Sequence, residues 1–247
     1  MICSGITDIG QKRKSNQDCF RICATKRYTA AVVCDGMGGA KGGSTASRTA
    51  AAAFMKSVRS SLSSLDRERS TTGDIDRILV NALNLANTAV YEKAGTSDSY
   101  EGMGTTLVAA LCMEGKAFVV NTGDSRLYAA KDGEIRQVTK DHSFVQFLVD
   151  SGVINESEAA NHPQKNIILK VVGVSESTEC DVFNVPEFDY LLLCSDGLSN
   201  VISKEEMLDV LYDGLDCSTK LNILINTANE RGGADNITAV IFDRKGQ

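Results

Sequence analysis

The stretch TTLVAALCMEGKAFVVNTGDSRLYAAKDGEIRQV, residues 105–138, contains four largely apolar segments separated by short turns that include glycine. The turns fall at 114–115, 123–125 and 132–133. Turns this short leave no room for a crossover helix, so consecutive segments are expected to pair as hairpins. The sequence therefore predicts an antiparallel meander. Further strands are predicted over 28–34, 190–196 and 236–243.

Helical patterns lie between these strands. An alanine-rich run with high helix propensity starts at Ser44, and residues 74–93 carry apolar side chains at three- and four-residue spacing. Capping-box patterns open further helices at 155–158 and 203–206. Helices beside antiparallel strands predict an α+β sandwich, in which the helices cover the sheets.

Composition excludes several functional classes. The chain has 247 residues, 43% of them apolar, and a net charge of −6. It has no basic stripe interleaved with aromatics, so nucleic acid is not an expected partner. No apolar run approaches the length of a membrane span, and the N-terminus lacks the apolar core of a secretory signal. Eight cysteines without a CxxC pair indicate reduced thiols, and we expect a cytoplasmic protein.

Single carboxylates recur at strand ends and turns. Two apolar strands end in Asp-Gly, at 35–36 and 196–197, and Gly-Gly-Ala-Asp-Asn leads into a third strand. A lone Asp-Gly is usually only a turn, but several such ends together predict a converging site. The candidates are Asp18, Asp35, Asp124, Asp196 and Asp235.

Carboxylates at close quarters repel one another unless protons or cations neutralise them. With only two histidines in the chain, the ligands would be oxygens, which Mg²⁺ and Mn²⁺ prefer. Two such ions about 3.5–4 Å apart form a clamp for in-line displacement at phosphorus. Gly36 would let a backbone carbonyl approach an ion. Arg13 has the planar fork of donors that binds a phosphate.

Seven motifs in order resemble the metal-dependent protein phosphatases of the 2C type (the PPM family), in their bacterial serine/threonine branch. They cover essentially the whole chain. They are TDIGQKRKSNQD (7–18), CDGMGG (34–39), GMGTT (102–106), NTGDSRLY (121–128), KDHS (140–143) with NHPQKNII (161–168), LLLCSDGL (191–198) and RGGADNIT (231–238).

The resemblance implies a four-layer α-β-β-α sandwich, with two antiparallel sheets flanked by helix pairs. It implies one catalytic domain over 1–247, with a flap at about 141–166. Asp35 would bridge two Mn²⁺ or Mg²⁺ ions, and the Gly36 carbonyl would bind the second. Asp196 and Asp235 would complete the first. Further roles are implied for Asp18 (holding metal-bound water), Arg13 (substrate phosphate) and Asp124 with Asp196 (a third ion).

The reaction implied is direct attack of a metal-activated hydroxide on phosphoserine or phosphothreonine, without a phosphoenzyme. Ser195 is therefore not expected to be a nucleophile. Met37 stands where eukaryotic relatives have a candidate acid histidine, so metal-bound water is the expected proton donor. Gln17 stands where many relatives have Glu, which weakens the expected hold on water at the second ion.

Two alternatives remain open from the sequence: a degenerate module that binds phosphoproteins without hydrolysis, and a phosphatase of small phosphate esters. Family resemblance also implies phosphoprotein substrates and an antagonistic serine/threonine kinase. Nothing in the sequence bears on oligomeric state. Asp141 is expected to cap the helix that follows it.

Overall fold

A computed structural model describes residues 1–65 and 71–246, which form two antiparallel sheets with helices outside them. One sheet has the strand order β1-β11-β10-β7-β8, and the other β2-β3-β5-β6-β9, with the short β4 paired to the end of β3. The strands are β1 Ile2–Asp8, β2 Asp18–Ala24, β3 Thr29–Met37, β4 Gly104–Thr105, β5 Leu107–Met113, β6 Lys116–Thr122, β7 Arg126–Lys131, β8 Glu134–Gln137, β9 Asp181–Val185, β10 Tyr190–Cys194 and β11 Ile237–Asp243.

Helices cover the outer face of each sheet. The helices are α1 Gly39–Ser63, α2 Thr72–Ala94, α3 Phe144–Asp150, α4 Glu156–Ala160, α5 Asp196–Ser199, α6 Lys204–Leu211 and α7 Cys217–Glu230. Helices α1 and α2 pack on the β2–β9 sheet, and α6 and α7 on the other. The predicted four-layer α-β-β-α sandwich is therefore confirmed. No helix in the described ranges is both long and apolar enough to cross a membrane.

The two sheets are joined by an apolar layer between their inner faces. Val33, Leu127, Leu193 and Phe242 are all fully buried there. Burial on both faces explains why these strands read as nearly continuous apolar runs instead of alternating ones. This layer fixes the two sheets relative to each other, and therefore fixes whatever lies along their shared edge.

The predicted meander is correct for two hairpins and wrong at its centre. Strands β5 and β6 pair, and so do β7 and β8, but β6 and β7 belong to different sheets. The turn over 123–125 passes from one sheet to the other because Gly123 has a positive φ of 106° and the Ser125 hydroxyl is bonded to the Thr106 hydroxyl at 2.7 Å. Asp124 consequently sits between the sheets.

Strand β3 and helix α1 differ from the prediction at their junction. Strand β3 continues through Asp35 to Met37, and α1 begins at Gly39, before the expected start at Ser44. Helix propensity disfavours this glycine-rich turn. Packing requires it, because a Cβ on Gly36 would lie 2.0 Å from the carbonyl oxygen of Gly43.

Capping residues at two helix starts match the prediction. Asn155 with Glu158 and Ser203 with Glu206 form complete capping boxes. Helix α2 also starts with a capping box, at Thr71 and Asp74. Helix α1 ends at Ser63, inside the segment 57–74, whose serine-rich and charged sequence is typical of a frayed helix end followed by a loop. Residues 66–70 of this segment lie outside the described ranges.

The layer between the sheets should dominate stability. We expect Leu193→Ala, at a fully buried position, to lower the free energy of unfolding by about 2–5 kcal/mol, because it leaves a cavity that the sheets cannot close. Leu85→Ala, at a side chain 56% exposed on α2, should change it by less than about 0.5 kcal/mol. Urea titration checks both, and equal losses would contradict this assignment of the core.

Candidate functional site

The antiparallel pairing brings the predicted carboxylates to one edge. Strand β3 ends near Asp35, and its neighbour β2 starts at Asp18, directly opposite. In the other sheet Asp196 follows β10, and Asp235 precedes the antiparallel β11. Ends and starts of antiparallel neighbours share an edge, which explains how residues distant in sequence meet.

One cavity of about 800 Å³ lies at this edge. It is lined by all the predicted site residues except Asp18, which is buried beneath it. The lining includes Arg13, Asp35, Gly36, Asp124, Asp196 and Asp235. The structure therefore gathers the sequence-predicted residues in one place.

Asp18 ties the two sheets together. Its Oδ2 accepts hydrogen bonds from the hydroxyls of Ser195 and Thr238, each at 2.7 Å, both from the opposite sheet and its edge. Its Oδ1 is buried and has no hydrogen-bond partner in the described part of the chain. Ser195 also accepts from the Thr238 amide at 3.0 Å, so its hydroxyl is engaged in holding Asp18. This fits the expectation that Ser195 is not a nucleophile.

The backbone of Asp35 is held by the two threonines of the GMGTT motif. Its amide donates to the Thr106 hydroxyl at 2.9 Å, and its carbonyl accepts from the Thr106 amide and the Thr105 hydroxyl, both at 2.9 Å. The same Thr106 hydroxyl bonds Ser125, next to Asp124. One buried pair of hydroxyls thus helps to position both Asp35, near the end of β3, and Asp124, in the turn between the sheets.

The carboxylates raise one another's pKa values. Burial raises the pKa of Asp18 to about 6 and that of Asp124 to about 7, and the charge of Asp196 adds to both. Burial, with the charges of its neighbours, also raises the pKa of Asp35 well above its usual value. After burial, the charges of Asp18 and Asp196 contribute most to the raised pKa of Asp35. A cation would relieve this repulsion.

Free oxygens remain available to such a cation. Oδ1 atoms of Asp124 and Asp196 are buried and, within residues 1–65 and 71–246, make no hydrogen bond. Asn200 donates to Oδ2 of Asp196 at 3.0 Å, which orients the carboxylate and leaves Oδ1 open. Unpartnered buried carboxylate oxygens are costly without a bound ion. The residues present therefore fit divalent cations.

Across the described ranges, no three Asp, Glu, His or Cys side chains form a ready-made cage for one ion. Mg²⁺ and Mn²⁺ keep several waters and need only one or two carboxylates each. Spread-out ligands with water between them suit these ions better than a closed cage would.

Arg13 contacts one of the predicted ligands. Its Nη2 lies 2.6 Å from Oδ2 of Asp235, and its side chain is 54% exposed. The loop that carries it is anchored by Asn236, which donates to the carbonyls of Ile9 and Ser15 and accepts from the Gln17 amide. An exposed guanidinium at the cavity mouth can turn from Asp235 toward an incoming anion.

Sequence reasoning missed the polar residues that support this edge. Ser195, Thr238, Thr106 and Asn236 contact the carboxylates or hold their loops. Each lies within two residues of a predicted ligand or inside one of the seven motifs, and this proximity could have identified it from the sequence. Hydroxyl and amide side chains next to buried charges commonly supply their hydrogen bonds.

The segment 141–166, which the resemblance predicts to be a flap, contains α3 and α4 and returns beside the cavity, where Lys165 and Asn166 line it. Asp141 does not cap α3; Ser143 does. Asp141 instead accepts from Arg126, with Nη2 to Oδ2 at 2.7 Å, because the guanidinium fork competes successfully for a carboxylate.

Neither histidine lines the cavity. His142 is buried, with Nδ1 accepting from the Gly123 amide at 3.2 Å and Nε2 lying 3.2 Å from Asp181. His162 accepts from the Gln164 amide. Met37 does line the cavity, and its thioether has no proton to give.

Residues 10–232 match the family description "Protein phosphatase 2C". The chain belongs to the protein phosphatase 2C family. It is 37% identical over 241 residues to the serine/threonine phosphatase stp of Listeria welshimeri, covering 96% of this chain and 94% of that protein. Membership confirms the resemblance and the predicted class of enzyme, a metal-dependent protein phosphatase.

Solved structures of the 2C family agree with the fold. The serine/threonine phosphatase Stp1 from Staphylococcus aureus superposes with a TM-score of 0.88 at 34% identity, covering 99% of this chain and 95% of that one. The catalytic domain of PstP in complex with two manganese ions gives a TM-score of 0.77 at 34% identity, covering 98% and 97%. One solved structure of the family thus contains two manganese ions.

We expect the metal-free protein to lose stability as pH rises. Asp18 and Asp124 have native pKa values of about 6 and 7, above the ordinary 3.8, so the native state holds protons that the unfolded state has released. The free energy of unfolding keeps its full contribution from these two groups below about pH 4 and falls as the pH rises through their native pKa values. Each group loses about 1.4 kcal/mol for every unit by which its native pKa exceeds its unfolded pKa.

Urea unfolding in a chelator at pH 5 and pH 8 measures this loss. Saturating Mn²⁺ should remove it, and Asp35→Asn, which deletes one of the repelling charges, should reduce it. Higher stability at pH 8 than at pH 5 in the chelator would show that these carboxylates are not crowded together.

Proposed function

We propose that this chain hydrolyses phosphoserine and phosphothreonine in proteins, with divalent ions held by Asp35, Gly36, Asp196 and Asp235. The observation that carries the proposal is the set of carboxylates at one sheet edge, with unpartnered oxygens and mutually raised pKa values, beside an exposed arginine. Family membership supplies the reaction class. We also propose that residues 1–247 act as one catalytic domain, since a single core joins both sheets.

The ions, when bound, would polarise the phosphoryl oxygens and lower the pKa of water. The chain's own residues would position the reactants. Arg13 would leave Asp235 and hold the phosphate through its two parallel donors. Asp18 would orient the attacking water with Oδ1, since Ser195 and Thr238 already occupy Oδ2.

The leaving serine or threonine oxygen needs a proton. Met37 cannot donate one, and no histidine is among the described residues that line the cavity. We therefore propose that water entering the open cleft supplies it. Gln17 keeps a role in shape: its Nε2 donates to the Gly39 carbonyl at 2.7 Å, which fixes the start of α1.

The proposal also covers the number of bound metal ions, the protein partners and the cellular location. Asp124 and Asp196 both line the cavity with a free Oδ1, which supports a third ion between them. Substrates would be phosphoproteins made by an antagonistic serine/threonine kinase. All eight cysteines are free thiols, which supports a reducing, cytoplasmic location.

The deciding experiment measures Mn²⁺-dependent phosphate release from a phosphothreonine peptide. We expect Asp35→Asn to lower kcat/KM by more than about a hundredfold, because it removes charge that holds the ions. Asp209→Asn, at an exposed aspartate on α6, is the matched control and should leave the rate unchanged.

Each alternative has its own outcome. Binding of the phosphopeptide without hydrolysis by the wild type at millimolar Mn²⁺ would favour a phosphoprotein-binding module. Equal turnover of sugar phosphates and phosphopeptides would favour a phosphatase of small esters. Turnover that survives both chelation and Asp35→Asn would refute the metal mechanism.

A separate measurement addresses the third ion. We expect Asp124→Asn to bind one fewer Mn²⁺ per chain at saturation, because it removes a charge from a site that has few other ligands. Equilibrium dialysis with elemental analysis counts the ions, and Asp209→Asn again serves as control. Unchanged stoichiometry would refute a third ion at Asp124.

A further inference from the structure

A second cavity, of about 690 Å³, opens beside the site cavity. We call it the side cavity and define it by its far wall, at Arg136 and Lys204. The two cavities share Asp124, Lys165 and Asp196 in their linings. A substrate whose phosphate lies at the site can therefore extend into the side cavity, along the flap.

The side cavity is basic beyond the carboxylates of the site. Apart from Asp124 and Asp196, its lining holds five basic side chains against the acidic Asp141 and Glu156. Asp141 is neutralised by the forked bond from Arg126. The basic residues are Arg126, Arg136, Lys140, Lys165 and Lys204.

Two of these cations are uncommitted. Lys140 pairs with Asp150 at 2.7 Å, and Lys165 also has an interaction partner, which leaves Arg136 and Lys204. Both are exposed, and neither makes an ion pair within residues 1–65 and 71–246. They stand on neighbouring elements, since α6 packs against β8. Together they place two unpaired positive charges at the wall of the side cavity.

The position of Lys204 is locally unfavourable. It is the first residue of α6, where the partial positive charge of the helix start disfavours a cation. Glu205 and Glu206 follow in the same turn, but Glu206 caps the helix and pairs with Arg231, and in the described part of the chain neither makes an ion pair with Lys204. Local rules are most often broken where function requires it. An arginine on the edge strand β8 could serve only to block strand pairing, but that reason does not extend to Lys204.

We propose that the side cavity binds an anionic group on a residue flanking the phosphorylated serine or threonine, through Arg136 and Lys204. That group is a carboxylate or a second phosphate. Arginine would hold it with its planar fork, and lysine as a point charge. The inference rests on the proposed protein phosphatase activity and names a preference within it.

The test compares phosphothreonine peptides that differ at flanking positions only. One carries Asp, one carries the neutral Asn, and one carries a non-hydrolysable phosphonate. With saturating Mn²⁺, we expect the wild type to favour the anionic peptides over the Asn peptide in kcat/KM by about three- to tenfold, the range for paired charges that are partly exposed. The preference should weaken at high ionic strength.

Variants locate the preference. The double variant Arg136→Gln with Lys204→Gln should bring the ratio close to one, and Lys204→Glu should bring it below the wild-type value. The matched controls are Arg21→Gln, on the edge strand β2, and Lys116→Gln, at the far end of β6. Both residues are exposed and lie outside both cavities, so the ratio should not change. Rates on an aryl phosphate normalise each variant for the state of the site.

The outcomes separate the two proposals. Equal turnover of all three peptides by the wild type, or a preference that persists in the double variant, would overturn the side-cavity proposal alone. No hydrolysis of any peptide would overturn the phosphatase proposal with it. A larger gain from the phosphonate supports a second phosphate as the ligand, and a larger gain from Asp supports a carboxylate.

Discussion

The main physical constraint on this structure is the electrostatic repulsion among several buried carboxylates at one sheet edge. Asp18, Asp35 and Asp196 each have a raised pKa, because burial and the charges of neighbouring carboxylates oppose ionisation. A fold gains no stability from such a cluster in the absence of cations. Burial of the apolar layer between the sheets has to offset the free-energy cost of this cluster. The same concentration of negative charge favours the binding of divalent cations.

Hydroxyl groups make the cluster precise. The bonds from the hydroxyls of Ser195 and Thr238 to Asp18 cross from one sheet to the other. Thr106, which holds the Asp35 backbone, bonds Ser125 in the turn that joins the sheets. Because each sheet contributes part of the site, a slip between sheets would separate the ligands. Apolar packing is non-directional and defines the relative position of the two sheets only approximately. The short buried hydrogen bonds define it more narrowly.

Sequence patterns predicted an α+β sandwich, two of the capping boxes and the carboxylates that gather at the edge, and the family resemblance implied the four layers. They failed where a tertiary contact outweighed a local preference. The turn at Asp124 has hairpin spacing, yet its flanking strands lie in different sheets. Helix α1 starts in glycines with poor propensity because Gly36 and Gly43 touch. Asp141 pairs with Arg126, although it precedes a helix as a cap would. Each reversal involves a partner distant in sequence.

The site carries negative charge on its carboxylates, whereas the far wall of the side cavity carries positive charge. This distribution determines which anionic substrates can bind. A phosphate approaching the carboxylates alone would be repelled, so its binding requires ions there or cations nearby. Arg13 stands at the mouth, paired with Asp235, while Arg136 and Lys204 face the side cavity. An anion flanking the phosphorylated residue would be attracted to the side cavity whether or not ions occupy the site. Metal occupancy would then change the rate of hydrolysis more than it changes the affinity for such substrates, because Arg136 and Lys204, at the far wall of the side cavity, are not among the residues that would hold ions.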